Sequence, residues 1–146
     1  MKKIKLFLDP ILYYMEDSSG FASSHYIDLT SGEIVSPDID DEISYEDVEK
    51  ENRYFRIEPV TSHEVYEIMQ AFAESEESDE IRSHLYDALD RKKPFMNFKD
   101  ALTEYPDAEK RFYEYKNSSL KEILSGRLEE CGYEIEEETS PKRNEQ

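Results

Sequence analysis

The sequence predicts an α+β fold, and three observations carry that prediction. Two β-rich runs, His25-Tyr26-Ile27-Asp28-Leu29 and Ile34-Val35, flank Thr30-Ser31-Gly32-Glu33, which is the pattern of a hairpin. Thr61-Ser62-His63-Glu64 is a capping box, and Val65, Ile68, Met69 and Phe72 follow it at helical spacing. Aromatic residues make up 12% of the 146 residues, more than a chain too polar to fold carries. The expected order is a short N-terminal helix, a three-stranded antiparallel sheet with an acidic loop, and then about four helices packed on one face. The expected organisation is a single domain over residues 1–135, with a mobile acidic loop at 37–51 and a disordered tail at 136–146.

Each element has a local reason. Ile4, Leu6 and Leu8 alternate with Lys3, Lys5 and Phe7 as a short strand does, although an extended lead-in fits as well. Asp9-Pro10 supplies an N-cap and a first-turn proline for a helix through Met15, which Ser18-Ser19-Gly20 ends. Gly32 takes the left-handed conformation that closes the hairpin turn. Arg53 to Ile57 alternates as a third strand that ends at Pro59. Ser78 caps a helix with the stripe Ile81, Leu85, Ala88 and Leu89. Pro94 opens the next helix, where Phe95, Phe98, Leu102 and Tyr105 share one face and read as core. Pro106 separates it from a long last helix, with a weak point at Asn117-Ser118-Ser119 and a left-handed C-cap at Gly132.

Charge narrows the classes of function. The formal net charge is −18 with a pI near 4.5, which disfavours nucleic acid and anionic membranes as overall partners and favours basic proteins or cations. The charge is uneven along the chain. Residues 1–90 carry 7 Lys and Arg against 23 Asp and Glu, net −16, whereas residues 91–121 carry 8 against 5, net +3. Residues 122–146 carry 3 against 8, net −5. Cys131 stands alone, so no intrachain disulfide forms, which fits a reducing cytoplasm. No apolar run reaches membrane-spanning length, and the run at Leu6-Phe7-Leu8 meets Asp9 too soon to serve as an export signal.

Candidate sites are few. The positive stretch interleaves cations with rings, as single-stranded nucleic-acid surfaces do. It nominates Arg91, Lys92, Lys93, Phe98, Lys99 and Arg111 as binding residues. Asp38, Asp40, Glu42 and Glu49 fall at EF-hand-like spacing, but Ile43 stands where the sharp turn needs glycine, so they are weak metal candidates. His63-Glu64 lacks the second histidine of a zinc-protease helix, and His25, His63 and His84 read as structural. Cys131, at the negative end of a helix dipole, reads as a small buried hydrophobe. No catalytic residues and no cofactor are expected.

Several of these residues carry a resemblance. Tyr26-Ile27-Asp28-Leu29-Thr30-Ser31-Gly32-Glu33-Ile34-Val35 precedes the acidic segment, and Tyr54-Phe55-Arg56-Ile57 leads into Ser62-His63-Glu64-Val65-Tyr66-Glu67-Ile68-Met69. Leu85-Tyr86-Asp87-Ala88-Leu89 and Phe95-Met96-Asn97-Phe98-Lys99-Asp100-Ala101-Leu102 follow. This order resembles the bacterial uncharacterised protein family (UPF) 0158 over roughly Leu8 to Gly132. Two departures stand out. The family usually places glycines where this chain has Asp90-Arg91-Lys92-Lys93-Pro94, and it tends to carry a tryptophan in the last helix, where this chain has Phe112-Tyr113. The resemblance implies a shared fold and brings no activity with it.

The functional expectation is accordingly a non-enzymatic cytoplasmic interaction protein that turns an acidic surface toward a basic partner. The first alternative is a nucleic-acid-binding module built on the positive patch at residues 91–111. The second is a metal-dependent hydrolase with clustered carboxylates.

Overall fold

A computed structural model describes residues 1–17 and 24–140. The helix stop expected at Ser18-Ser19-Gly20 and residues 141–146 of the expected tail lie outside the described residues. The chain is mixed α and β and divides into two compact units, Met1–Val60 with Leu120–Gln146, and Thr61–Ser119.

In the first, mixed unit, β1 (Lys2–Phe7) is a regular strand rather than only an extended lead-in, with Ile4 and Leu6 buried and the lysines exposed. It pairs in parallel with β5 (Tyr133–Glu138), placing Ile4 opposite Ile135, Lys3 opposite Glu134 and Lys5 opposite Glu136. Gly132 at φ 88 turns the chain out of the last helix, and its carbonyl accepts a hydrogen bond from the Lys2 amide at 3.1 Å. Residues 136–138, expected to belong to a disordered tail, are part of β5. The lysines of β1 thus stand in register opposite glutamates of β5, and Lys121 reaches Glu137 at 3.1 Å. Helix α1 (Leu8–Glu16) follows directly, without a side-chain cap. It starts one residue before Asp9 and buries Leu8, Ile11, Leu12 and Met15.

The three-stranded antiparallel sheet has the order β3 (Ile34–Val35), β2 (Tyr26–Asp28), β4 (Tyr54–Arg56). Tyr26 faces Val35 on one side and Arg56 on the other, and Ile27 faces Ile34 and Phe55. The turn closes as expected, with Gly32 at φ 78 donating its amide to the Asp28 carbonyl at 2.7 Å. Asp28, on the central strand, is buried. Its carboxylate accepts hydrogen bonds from Arg53 Nε at 3.0 Å and Nη2 at 2.7 Å, and from the Thr30 amide and hydroxyl at 2.9 and 2.7 Å. One side chain thus ties the hairpin turn to the residue that leads into β4. Burial pushes the Asp28 carboxyl up, but the hydrogen bonds from Arg53 and Thr30 and the charge of Arg53 outweigh burial and hold it at about 2, below its usual 3.8.

The acidic segment 37–51 is not an unbroken loop. It contains α2 (Tyr45–Lys50), started by a capping box in which Ser44 and Asp47 exchange hydrogen bonds of 3.1 Å each. Val48 anchors this helix, whereas Ile39 is exposed. Ser-x-x-Asp followed by a single apolar anchor is enough to order a short helix despite its like charges.

The second unit is helical. It comprises α3 (Ser62–Ser75), α4 (Asp79–Leu89), α5 (Pro94–Leu102) and the first part of α6 (Pro106–Glu130). Thr61 and Glu64 form the expected capping box and Ser78 caps α4. Phe112 is the hub of the core, with Phe72 and Phe98 edge-on to it at 5.3 and 5.1 Å between ring centres. Helix α6 continues through Asn117-Ser118-Ser119 without a break, and its later residues Leu120, Leu124 and Leu128 are buried in the mixed unit. Cys131 is exposed, not a buried hydrophobe, because it lies in the turn between α6 and β5. No helix of the described residues is long and apolar enough to cross a membrane.

Two outcomes test these assignments. With Asp28 held below its unfolded value, its contribution to stability is full above about pH 4 and is lost as pH falls toward about 2. Denaturant unfolding should show a decline of at most about 2 kcal/mol over that window, less whatever the half-exposed Arg53 loses to solvent screening, and Asp28→Asn should remove that decline. Lys93 is the sole non-glycine residue with positive φ among the described residues, at 57°. It sits in the linker where the resembled family places glycine. Lys93→Gly relieves about 1–2 kcal/mol of left-handed strain against about 0.5–1 kcal/mol of added chain entropy, so it should raise the melting temperature slightly.

Candidate functional site

The junction between α4 and α5 presents the positive stretch. Asp90 ends α4, Lys93 turns the chain left-handed, and Pro94 occupies the first turn of α5. Asn97 Nδ2 donates to the Lys92 carbonyl at 2.7 Å and fixes the turn. Arg91, Lys92, Lys93 and Lys99 all extend into solvent. Phe98 does not join them. It is fully buried against Phe112, so it belongs to the core and is withdrawn as a binding residue. Phe95 is half-buried. The cations of the junction therefore lack the stacking platform that the sequence pattern suggested.

Arg111 is also committed elsewhere. Its Nη2 donates to Glu76 Oε1 at 3.0 Å and Oε2 at 2.9 Å, and its Nε to Oε1 at 3.2 Å. Glu76 is buried, follows the last residue of α3, and accepts at its carbonyl a hydrogen bond of 2.6 Å from Arg82 Nη1. Sequence reasoning missed Glu76, because residues 75–80 read only as a break between helices. The one signal was an arginine on a helix 35 residues away, and nothing local points to it.

A shallow cleft of about 340 Å³ adjoins the junction, lined in part by His84, Arg91, Asn97, Asp100 and Glu104. His84 Nδ1 lies 3.1 Å from the Tyr105 hydroxyl and 3.2 Å from Glu104 Oε2. Burial, together with the charges of Glu80 and Glu104, pushes the Tyr105 phenol up. The other histidines are apart from it. His25 is buried just before β2 and stacks on Tyr14 at 3.9 Å, and His63 on α3 pairs with Glu67 at 2.6 Å. The three histidines therefore lie apart, His25 before β2, His63 on α3 and His84 on α4.

The weak metal candidates are not assembled. Asp38 accepts the Tyr45 hydroxyl, and Asp40 accepts the Ser36 amide at 2.9 Å, while Glu42 is exposed outside α2 and Glu49 within it. Among the described residues no three or more His, Cys, Asp and Glu side chains converge as a metal ligand set. Asp38 and Asp40 are engaged within the segment itself and Glu42 and Glu49 point to solvent, so the EF-hand-like spacing does not gather the four carboxylates.

The pair of enclosed Glu76 with half-exposed Arg111 makes an asymmetric prediction. Arg111→Ala leaves the Glu76 carboxylate buried without its partner and should cost about 3 kcal/mol in denaturant unfolding. The charge-free double variant Glu76→Gln/Arg111→Met should recover most of that loss.

Comparison with known proteins places the chain in a family. The family model described as uncharacterised protein family (UPF0158) matches residues 2–141. A UPF0158 protein of Pseudomonas aeruginosa is 28% identical over 137 residues, covering 89% of this chain and 85% of that protein. No solved structure matches significantly. From β1 to the strand that follows α6, the chain belongs to the uncharacterised protein family UPF0158.

Proposed function

We propose that this protein is a non-enzymatic interaction protein of the bacterial cytoplasm whose acidic exterior binds a basic protein partner. The observation that carries this reading is the disposition of its carboxylates. In a chain of net charge −18, the two carboxylates buried among the described residues, Asp28 and Glu76, are each neutralised by an arginine, and α2, the start of α4 and β5 carry exposed acids. A field of that sign steers basic partners inward and repels phosphate backbones. The exposed acids form no metal ligand set among the described residues, so a metal-dependent hydrolase gains no support from their placement.

The nucleic-acid alternative rests on Arg91, Lys92, Lys93 and Lys99 alone, since Arg111 is engaged and Phe98 is buried. Affinity capture with the full chain at about 50 mM salt should retain a basic protein, released near 0.5 M salt as a charge-driven contact requires. Capture should be unchanged by Arg91→Glu/Lys92→Glu. Failure to retain any protein at low salt contradicts the proposal. A gel shift with mixed RNA and DNA that this double variant abolishes would transfer the assignment to nucleic acid.

A further inference from the structure

The helical unit contains an open groove of about 970 Å³ formed by the end of α3, the start of α4 and the middle of α6. Phe72, Ile81 and Tyr115 supply its apolar side; Phe72 is buried and the other two are half-buried. Glu76, Glu77 and Glu114 line it against one cation, Arg111, a local net charge of −2. Arg111 is spent on buried Glu76, so the remaining charge belongs to Glu77 and Glu114, both exposed. The walls are held in place. Ser75 Oγ donates to the Phe72 carbonyl at 2.6 Å, Ser78 Oγ accepts the Ile81 amide at 3.3 Å, and Arg82 holds the Glu76 carbonyl.

We infer that this groove takes a basic amphipathic segment of a protein partner. A lysine or arginine head meets Glu77 and Glu114 while its aliphatic stem lies on Tyr115 and Ile81. Charge complementarity selects the occupant. Two exposed carboxylates beside an aromatic ring attract a cation and reject a phosphate. Lysine and arginine are the side chains that can cover apolar surface and still present a charge. A groove already fixed by its own hydrogen bonds loses little freedom on binding. The inference rests on the reading that the acidic exterior binds a basic partner, and it names where that contact is made.

The test uses the isotope-labelled full chain and, as probe, a synthetic helical peptide of about a dozen residues with lysines and leucines on one face. Amide shifts should concentrate at residues 75–81 and 111–118. At low salt Glu77→Gln/Glu114→Gln should weaken binding about tenfold, while Glu46→Gln/Glu49→Gln in α2 should weaken it less than about twofold. Shifts confined to α2 or β5, or equal losses in both variants, would overturn the groove and leave the acidic-exterior reading standing. No binding at low salt removes both. Spermidine producing the same shifts at equal affinity would make the occupant a small cation and overturn the assignment to a peptide.

Discussion

The structure depends on how an acid-rich chain buries a carboxylate. Thirty-six Asp and Glu residues share eighteen Lys and Arg, so most acids have no cation to spare for them and must stay in water. Among the described residues the two buried exceptions are Asp28 and Glu76, one in each compact unit, and each takes an arginine from a distant part of the sequence. Asp28 sits on the central strand and reaches Arg53, which precedes the third strand. Glu76 follows α3 and reaches Arg111 on α6. In both cases the arginine remains half in solvent while the acid is enclosed. The arrangement keeps the desolvation cost on one partner and gives the enclosed oxygens several donors.

The same scarcity of cations shapes the ends of the chain. Lysines in β1 stand opposite glutamates in β5, and Lys121 on α6 reaches Glu137 at 3.1 Å. Two short strands in a parallel pair gain little from backbone hydrogen bonds alone. In the observed register Ile4 faces Ile135, and Lys3 and Lys5 face Glu134 and Glu136, so the pairing sets apolar against apolar and unlike charges opposite each other.

What was legible in the sequence was local. Gly32, the capping box at Thr61, the cap at Ser78 and the prolines at 94 and 106 each act within four residues, and each element they predict is present. What was not legible depends on partners far along the chain or on competition among like charges. β5 reads as a tail because its partner strand lies at the opposite end of the sequence. The acid count conceals α2 because Asp47, which completes the capping box with Ser44, is one aspartate among many. Glu76 looks like a helix break until Arg111 is placed beside it. Phe98 shows the converse error: its helical spacing marks it as core, and the positive charge of its neighbours wrongly drew it into the candidate site.

These observations separate the carboxylates by role. Enclosed ones, neutralised by arginine, hold each unit together. Most of the others are exposed, and under the proposed reading their summed field is what a basic partner meets first. Zero-length carbodiimide cross-linking of the complex recovered with its partner, read by mass spectrometry, tests that division most directly, since it joins carboxylates only to amines in contact. The account predicts bonds from glutamates and aspartates of this chain to lysines of the partner. Bonds running the other way, from Lys92, Lys93 or Lys99 to carboxylates of the partner, would contradict it.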